Sequence, residues 1–205
     1  MIEANGITKT LDGRRLFQDY DLCVQEGSFL AITGESGTGK TTLLNMLSLL
    51  EKPDDGEISI AGKTNPNKRE KMLLRRHTIG YLFQNYALLP NITVEENIQI
   101  ALRYQKGGDQ HKIIAEVLER VGLKGYEKKK VYTLSGGEQQ RVAFARMIAK
   151  DSRYIFADEP TGNLDSKNAD HIFSLLKELY AQGKTVLLVT HDLNLARRAP
   201  ERLAL

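Results

Sequence analysis

The 205-residue sequence contains one cysteine, Cys23, and no long apolar run. A single cysteine cannot form an internal disulfide, so we expect a reducing compartment. No stretch approaches 18 consecutive apolar residues, so the sequence predicts no membrane-spanning helix. Residues 1–6 lack a basic region followed by an apolar one, and no secretory signal is visible. These absences predict a cytoplasmic protein, or one that reaches a membrane only through a partner.

The sequence also lacks a strong charge excess, internal repeats and low-complexity segments. It has 29 Lys and Arg against 26 Asp and Glu, a net charge of +3. The basic residues are spread along the chain, which gives no reason to expect a nucleic-acid partner. The clearest basic run, 128–130, is interpreted as a solvated loop. A chain of this length and ordinary composition can build one large core, or at most two small ones.

The stretch from Gly34 to Thr42 matches the phosphate-binding pattern G-x-x-x-x-G-K-[ST]. It follows a β-prone run, 29–33, and leads into the leucine-rich segment 43–47, and this strand–loop–helix context gives the pattern structural meaning. Its glycines allow several backbone N–H groups to point inward, and the helix N-terminus adds partial positive charge. An ordinary glycine-rich loop is the alternative. The predicted nucleotide-binding residues are Gly34, Glu35, Ser36, Gly37, Thr38, Gly39, Lys40, Thr41 and Thr42. Within this stretch, Lys40 is predicted to reach the β- and γ-phosphates, and the Thr41 hydroxyl to hold Mg²⁺.

The other parts of the chain show three different sequence patterns. Residues 1–33 predict short strands, and Pro53 to Gly56 predicts a turn. Residues 85–150 are predicted to be mainly helical, with capping boxes at Thr93–Glu96 and Ser135–Glu138 and a linker at Lys106–Asp109. In the last third, strands alternate with helices, which predicts an α/β fold with a parallel sheet covered by helices.

Two apolar strands end in residues suited to nucleotide chemistry. The run 153–157 leads into Asp158 and Glu159, and the run 186–190 leads into His191. Ligands of open parallel sheets bind beyond the carboxyl ends of the strands. Asp158 is the predicted Mg²⁺ ligand, because this hard cation prefers oxygen ligands. Glu159 is predicted to position or deprotonate the attacking water, and His191 to contact the γ-phosphate. The alternatives are a capping or surface acid pair and a structural histidine.

The segment from Leu134 to Arg141, Leu-Ser-Gly-Gly-Glu-Gln-Gln-Arg, is a second glycine-bearing helix N-terminus. Such a terminus can bind an anion. One ATP does not need two such cradles from the same molecule, so the economical interpretation is that this one serves an ATP held by another subunit. A well-capped helix without a ligand is the alternative.

In sequence order, and over nearly the whole chain, these motifs closely resemble those of the ATP-binding cassette (ABC) family, the nucleotide-binding subunits of ABC transporters. The segments that carry the resemblance are Gly34–Thr42 (Walker A), Gln84 (Q-loop), Leu134–Arg141 (signature), Ile155–Glu159 (Walker B), Gly162–Asp165 (D-loop) and His191 (switch histidine). The resemblance implies a P-loop NTPase that hydrolyses ATP with Mg²⁺. Its fold would be α/β, a single domain with a mostly parallel core sheet, an antiparallel β lobe and an inserted α-helical lobe. The core with the β lobe would span 1–84 and 151–205, and the helical lobe 85–150.

The resemblance also implies partners and further site residues. Two copies would form an ATP-dependent head-to-tail homodimer, and Ser135, Gly136, Gly137 and Asp165 would join the nucleotide-binding set. Catalysis would fall to Glu159, His191 and Gln84. Thr41, Gln84 and Asp158 would hold the metal. The helical lobe would receive a transmembrane permease, and the protein would lie at the cytoplasmic face of the cell membrane through that partner alone.

Within the family, the segments Tyr81–Pro90 and Thr161–Ser166 look like those of the macrolide-export, lipoprotein-release and antimicrobial-peptide-export group. This likeness implies export or resistance for a peptide, lipid-linked or drug-like substrate. The alternative is a non-transport ABC ATPase, a regulatory or force-transmitting module on a membrane partner. DNA-repair members differ by long coiled-coil insertions, and translation-associated members by a second cassette. The apolar loop 85–90 is expected either to dock the permease or to pack on its own helices.

Two positions depart from the family pattern. Leu11 stands where an aromatic residue that stacks on adenine is expected, and Phe17 lies nearby in sequence. We therefore expect weaker adenine contact and less selectivity for ATP over GTP. The sequence stops at Leu205, where a strand begins and family members usually continue. This predicts a truncated or unusually short chain.

Overall fold

The computed structural model describes residues 1–105, 107–162 and 164–205. The strands formed by these residues are, in chain order, β1 (Ile2–Leu11), β2 (Arg14–Val24), β3 (Phe29–Thr33), β4 (Asp55–Ile60), β5 (Lys63–Thr64), β6 (Ile79–Leu82), β7 (Tyr154–Asp158), β8 (Thr185–Val189) and β9 (Glu201–Ala204). They form an antiparallel sheet of order β2-β1-β4-β5 and a parallel sheet of order β6-β7-β8-β3-β9.

The helices of the described residues are α1 (Lys40–Leu47), α2 (Lys68–His77), α3 (Val94–Leu102), α4 (Gln110–Arg120), α5 (Gly136–Ala149), α6 (Ser166–Ala181) and α7 (Leu193–Arg197). The capping boxes predicted at Thr93 and Ser135 are confirmed at the starts of α3 and α5. Each box satisfies backbone N–H groups that a helix start would otherwise leave unpaired. Among the described residues, no helix has both the length and the apolar character needed to cross a bilayer.

The central strands of the parallel sheet are buried on both faces, and successive side chains alternate between two hydrophobic clusters. On β8, Val186 and Leu188 join a cluster built with α3 to α7. Leu187 and Val189 join the other, which contains α1 and the antiparallel sheet. Burial on both faces explains why β3, β7 and β8 are continuous apolar runs, as is usual in parallel sheets.

The strand register brings the predicted chemical groups to one end of the parallel sheet. Ile32 of β3 and Asp158 of β7 both pair with Val189 of β8, the strand that lies between them. The residues that follow these three strands therefore emerge side by side. Gln84 emerges at the same end, since Leu82 pairs with Ala157.

The mostly parallel core sheet and the antiparallel sheet confirm the predicted fold class. Two finer predictions were wrong. The strands of residues 1–33 are not all short, because β1 has 10 residues and β2 has 11. Register shifts between them interrupt the alternation of polar and apolar residues, which made the sequence look fragmented.

The predicted turn from Pro53 to Gly56 was also wrong in its second half, because β4 already begins at Asp55. Gly56 has φ 89°, and a Cβ there would lie 2.4 Å from the carbonyl oxygen of Gly6. This glycine is therefore needed for close approach between β1 and β4. Lys106 of the predicted linker and Asn163 of the D-loop-like segment lie outside the described residues.

Candidate nucleotide site

The loop before α1 curves around the ammonium group of Lys40. Its Nζ donates to the carbonyl oxygens of Gly34 (2.9 Å) and Glu35 (2.7 Å). Gly39 precedes the first residue of α1 as its N-cap, has φ 98° and provides no side-chain cap. A Cβ at Gly39 would lie 3.0 Å from the ring of Phe17, so both its conformation and its surroundings require glycine. The helix start is thus left without a side-chain cap, and its free N–H groups can bind an anion.

Thr41 and Asp158 supply a pair of oxygen groups beside this loop. Thr41 Oγ1 donates to Asp158 Oδ1 at 3.0 Å, and Asp158 is only 5% exposed. Burial raises the pKa of the Asp158 carboxyl, and the hydrogen bond from Thr41 opposes that rise. A hydroxyl and a carboxylate held together are the hard oxygen donors that Mg²⁺ prefers. The residues present therefore fit a magnesium ion.

Glu159 and His191 form the next pair. Glu159 Oε2 and His191 Nδ1 lie 2.9 Å apart, with side-chain exposures of 12% and 69%. Glu159 has φ 46°, in the left-handed region that few residues other than glycine adopt, and its N–H donates to the carbonyl oxygen of Val189. Unfavourable backbone geometry of this kind is concentrated at functional sites. Glu159 and the exposed His191 line the same cavity as the phosphate loop.

These groups surround one cavity of about 400 Å³ at the carboxyl ends of β3, β7 and β8. Its lining residues are Leu11, Leu16, Ser36, Gly37, Gly39, Lys40, Thr41, Thr42, Gln84, Glu159, Val189 and His191. The predicted Walker-type residues that do not line the cavity contact the residues that do, or contact one another. Gly34 and Glu35 bind Lys40 through their carbonyl groups, Thr38 donates to the Glu35 carbonyl, and Asp158 contacts Thr41. The structure thus brings all of the Walker-type, Q-loop and switch residues together.

Leu11 lies in this cavity and is 47% exposed. Leu16, which the sequence analysis missed, lies beside it on the cavity wall. Phe17 is 5% exposed and packs beneath Gly39, so it does not face the cavity. Leu11 and Leu16 therefore give this cavity an aliphatic part of its lining.

The signature segment lies around a second cavity, of about 390 Å³. Its lining residues are Ser135, Gly137, Glu138, Arg141, Leu164, Asp165 and Asn168. None of them lines the cavity of the phosphate loop. Gly136 is turned elsewhere, since a Cβ there would lie 3.6 Å from the hydroxyl of Tyr86. The structure therefore groups Ser135, Gly137 and Asp165 and keeps them apart from the first cavity.

Residues 17–162 match the protein-family model described as "ABC transporter". This chain belongs to the ABC transporter family. It is 42% identical over 184 residues to the lipoprotein-releasing system ATP-binding protein LolD 1 of Rhodopseudomonas palustris, covering 87% of this chain and 81% of that protein. It is 38% identical over 207 residues to the uncharacterized ABC transporter ATP-binding protein YvrO of Bacillus subtilis, covering 97% and 90%.

Longer relatives in this family contain the cassette as one part. The macrolide export ATP-binding/permease protein MacB of Chlorobaculum tepidum is 39% identical, and the match covers 97% of this chain but 32% of that protein. Among solved structures, the dimeric post-hydrolysis state of the ATP-binding cassette MJ0796 with ADP and Pi has a TM-score of 0.92 and 36% identity, covering 100% and 94%. The chain is accordingly an ABC-type ATP hydrolase.

The cassette contains contacts that the sequence did not indicate. Arg141 Nη1 of α5 donates to Asn168 Oδ1 of α6 at 2.5 Å, and Asn168 Nδ2 donates to Asp165 Oδ2 at 2.7 Å. The backbone and side-chain N–H groups of Asn168 lower the pKa of Asp165. This chain of bonds joins the signature helix to the D-loop-like segment. No motif identifies Asn168, because only the packing of α5 beside α6 gives it a role.

Proposed function

We propose that two copies of this cassette bind two Mg-ATP between them, head to tail, and that ATP hydrolysis powers a separate transmembrane permease. One observation carries the proposal: the chain has two anion cradles that share no lining residue. The first cradle holds Lys40 and the Glu159–His191 pair. The second offers a capped helix tip with Ser135 and Gly137. In a head-to-tail dimer, the second cradle of one copy covers the ATP that is bound at the first cradle of the other copy. Both cradles then have a function. The solved dimers of the related MJ0796 cassette support dimerisation.

The proposed roles follow from the contacts at the phosphate loop. Lys40 exchanges the Gly34 and Glu35 carbonyls for the β- and γ-phosphates, which are stronger, charged acceptors. Thr41, Asp158 and Gln84 would hold Mg²⁺, and the bound ion would supply positive charge beside the phosphates. Glu159 orients the attacking water and accepts its proton, and His191 holds the Glu159 carboxylate in place. The aliphatic wall of Leu11 and Leu16 contributes little base discrimination, so the triphosphate dominates affinity.

The division of labour within the chain is part of this proposal. Residues 1–84 and 151–205 bind nucleotide, and residues 85–150 carry the signature segment and part of the permease contact, which residues of 1–84 complete. In the loop 85–90, Tyr86 and Leu88 pack against the helix cluster, and Arg146 donates to the carbonyl oxygens of Tyr86 and Ala87. This supports internal packing for most of the loop. Leu89 is 52% exposed and is the part of the loop left for a partner.

A groove of about 320 Å³ between α2, β6, α3 and α5 is the proposed docking surface. Exposed apolar side chains and cations line it, among them Leu50, Ile100, Tyr104, Arg75, Arg76 and Lys150. Burial lowers the pKa of Lys150 to about 8. No carboxylate of the described residues lines this groove. We therefore assign it to a short amphipathic segment of the permease that carries an acidic residue. Membrane association at the cytoplasmic face follows from this contact alone.

Similarity to other proteins supports a substrate class. Relatives of this cassette are named for lipoprotein release, macrolide export and pyoverdine export. We infer export or resistance for a peptide, lipid-linked or drug-like substrate. These names describe transport, export or release systems, which supports transport over a non-transport regulatory module.

Glu159→Gln tests the dimer. The variant keeps the shape of the side chain but removes the base, so it is expected to bind Mg-ATP, hydrolyse it very slowly and accumulate as a dimer in light scattering. Ser135→Arg in the same background is the control, and is expected to abolish the dimer while leaving monomer affinity for ATP unchanged in a binding titration. A persistent Glu159→Gln monomer with normal turnover would contradict the proposal.

Ile100→Asp tests the groove. We expect the variant to lose co-purification with the permease from detergent extract while keeping its ATP-driven dimer. Leu73→Asp is the matched control, because Leu73 is similarly exposed (44% against 47%) but does not line the groove. Equal loss of the permease in both variants would remove the groove from the proposal.

A further inference from the structure

Glu138 lies at the second cavity, the one lined by the signature segment, which we call the signature cleft. It lies in the first turn of α5 and lines the same cavity as Ser135 and Gly137. Its Oε2 accepts the N–H of Ser135 at 2.8 Å, and its Oε1 accepts the hydroxyl of Tyr126 at 2.8 Å. Both carboxylate oxygens of Glu138 are therefore fixed by hydrogen bonds in a residue that lines the cleft.

The carboxylate of Glu138 is charged at neutral pH. The Ser135 N–H and the Tyr126 hydroxyl lower its pKa, in that order of importance. Lys129 Nζ lies 3.4 Å from the centroid of the Tyr126 ring, and its positive charge makes a smaller contribution to the lowered pKa of Glu138. A full negative charge thus lies at a helix N-terminus whose own partial charge is positive and smaller.

The first turn of α1, at the phosphate loop, differs from the first turn of α5. Helix α1 has no acidic residue in its first turn and no side-chain cap. Its N-terminus therefore presents positive potential to phosphate. Two carboxylates, Glu138 and Asp165, and one guanidinium, Arg141, line the cavity at α5. The full charge of Glu138 exceeds the partial charge of the helix dipole, so the helix N-terminus itself presents negative charge to an approaching triphosphate.

We propose that Glu138 sets the strength of dimer closure: its carboxylate weakens the hold of the signature helix on the triphosphate presented by the partner copy. This inference rests on the head-to-tail dimer proposed above. The capping hydrogen bond fixes the tip, and the negative charge that accompanies it limits the lifetime of the closed state, which favours reopening after hydrolysis.

Glu138→Gln separates the two contributions, because the amide oxygen can still accept the Ser135 N–H while the charge is removed. In the Glu159→Gln background with Mg-ATP, we expect the dimer dissociation constant to fall by about tenfold at low salt, and by less at high salt. We also expect a slightly lower melting temperature, because a charge–dipole interaction is lost. A merely structural effect would weaken the fold and the dimer together.

Two controls complete the experiment. Glu116→Gln removes an exposed carboxylate of α4 that does not line the cleft, and is expected to leave the dimer constant unchanged. Tyr126→Phe removes a hydrogen bond but keeps the Glu138 charge, and is not expected to tighten the dimer. A Glu138→Gln dimer no tighter than its parent would overturn the inference and leave the dimer standing. Failure of the Glu159→Gln parent to dimerise would overturn both.

Discussion

The starts of α1 and α5 are both glycine-bearing helix N-termini, yet their backbone donors are treated in opposite ways. At α1, Gly39 provides no side-chain cap, and the loop is closed by the Lys40 ammonium on the Gly34 and Glu35 carbonyls. At α5, Ser135 and Glu138 cap each other through backbone and side chain. A bare and a capped helix start thus coexist in one chain.

The difference shows what each cradle can do alone. An uncapped start leaves N–H groups that only an anion or water can satisfy, so α1 is a receptor that is incomplete without a ligand. A reciprocal capping box makes α5 a stable element before any ligand arrives. This is the physical basis for assigning high-affinity binding of nucleotide to α1 and conditional, partner-dependent contact to α5.

The largest expected contrast between the two cradles is in nucleotide affinity. Lys40→Met removes a cation that can make charge-assisted bonds to phosphate, and should weaken monomer ATP binding by about 3 kcal/mol, a factor of more than about a hundred. Ser135→Arg should change the same monomer constant by less than about threefold. Isothermal titration of both variants with ATP measures this. Comparable losses would place both tips on one nucleotide and contradict the comparison.

Alanine at a glycine of each cradle should change stability with opposite sign. Gly39→Ala places a Cβ at φ 98° and 3.0 Å from Phe17, and is expected to destabilise the fold by about 2 kcal/mol, lowering Tm by about 4–8 °C. Gly137 has no positive φ, and its Cβ would meet Leu164 at an ordinary 3.4 Å. Gly137→Ala should therefore raise stability by about 0.5 kcal/mol. Thermal unfolding without nucleotide distinguishes the two, and a shift of the same sign in both would be evidence against this account.

Neutralising one acid in each cradle should also change the stability of the fold with opposite sign, and this is the smallest of the expected effects. The raised pKa of Asp158 means that the folded protein binds more protons than the unfolded chain between the ordinary pKa of 3.8 and the folded value. Asp158 therefore lowers stability as pH rises through that window, and the full penalty is present above the folded pKa. Asp158→Asn should stabilise the fold at pH 7 while abolishing turnover.

Glu138 is the matched comparison, because its pKa is lowered and its stabilisation is present above the ordinary value of 4.5 and lost as pH falls through the folded value. Glu138→Gln should therefore lower Tm slightly at pH 7. Urea or thermal unfolding at pH 7 and near pH 4 measures both variants. A destabilised Asp158→Asn protein at pH 7 would mean that the Asp158 carboxylate stabilises the fold.

Much of the site could be predicted from the sequence because its signals are local. The pattern from Gly34 to Thr42 needs only its flanking strand and helix, and the Ser135–Glu138 box spans a single helical turn. Acids that follow apolar strands are equally visible, as Asp158 and Glu159 show. The length of β1 and β2 was missed because bulges hide their alternation, and Gly56 was assigned to a turn because its neighbour across the sheet, Gly6, is distant in sequence.

The sequence by itself determined the chemistry available to this protein: a glycine loop with Lys40, the acid pair, and a capped signature tip. Tertiary structure decided which of these groups meet. The order β6-β7-β8-β3 and its register bring Gln84, Glu159 and His191 to one cavity, while α5 and α6 enclose Ser135 and Asp165 in another. The tertiary structure also buries Phe17 beneath Gly39 and leaves Leu11 on the cavity wall. Local patterns depend on neighbours within a few residues, whereas strand order and helix packing depend on contacts across more than a hundred residues of chain, such as Thr41 with Asp158.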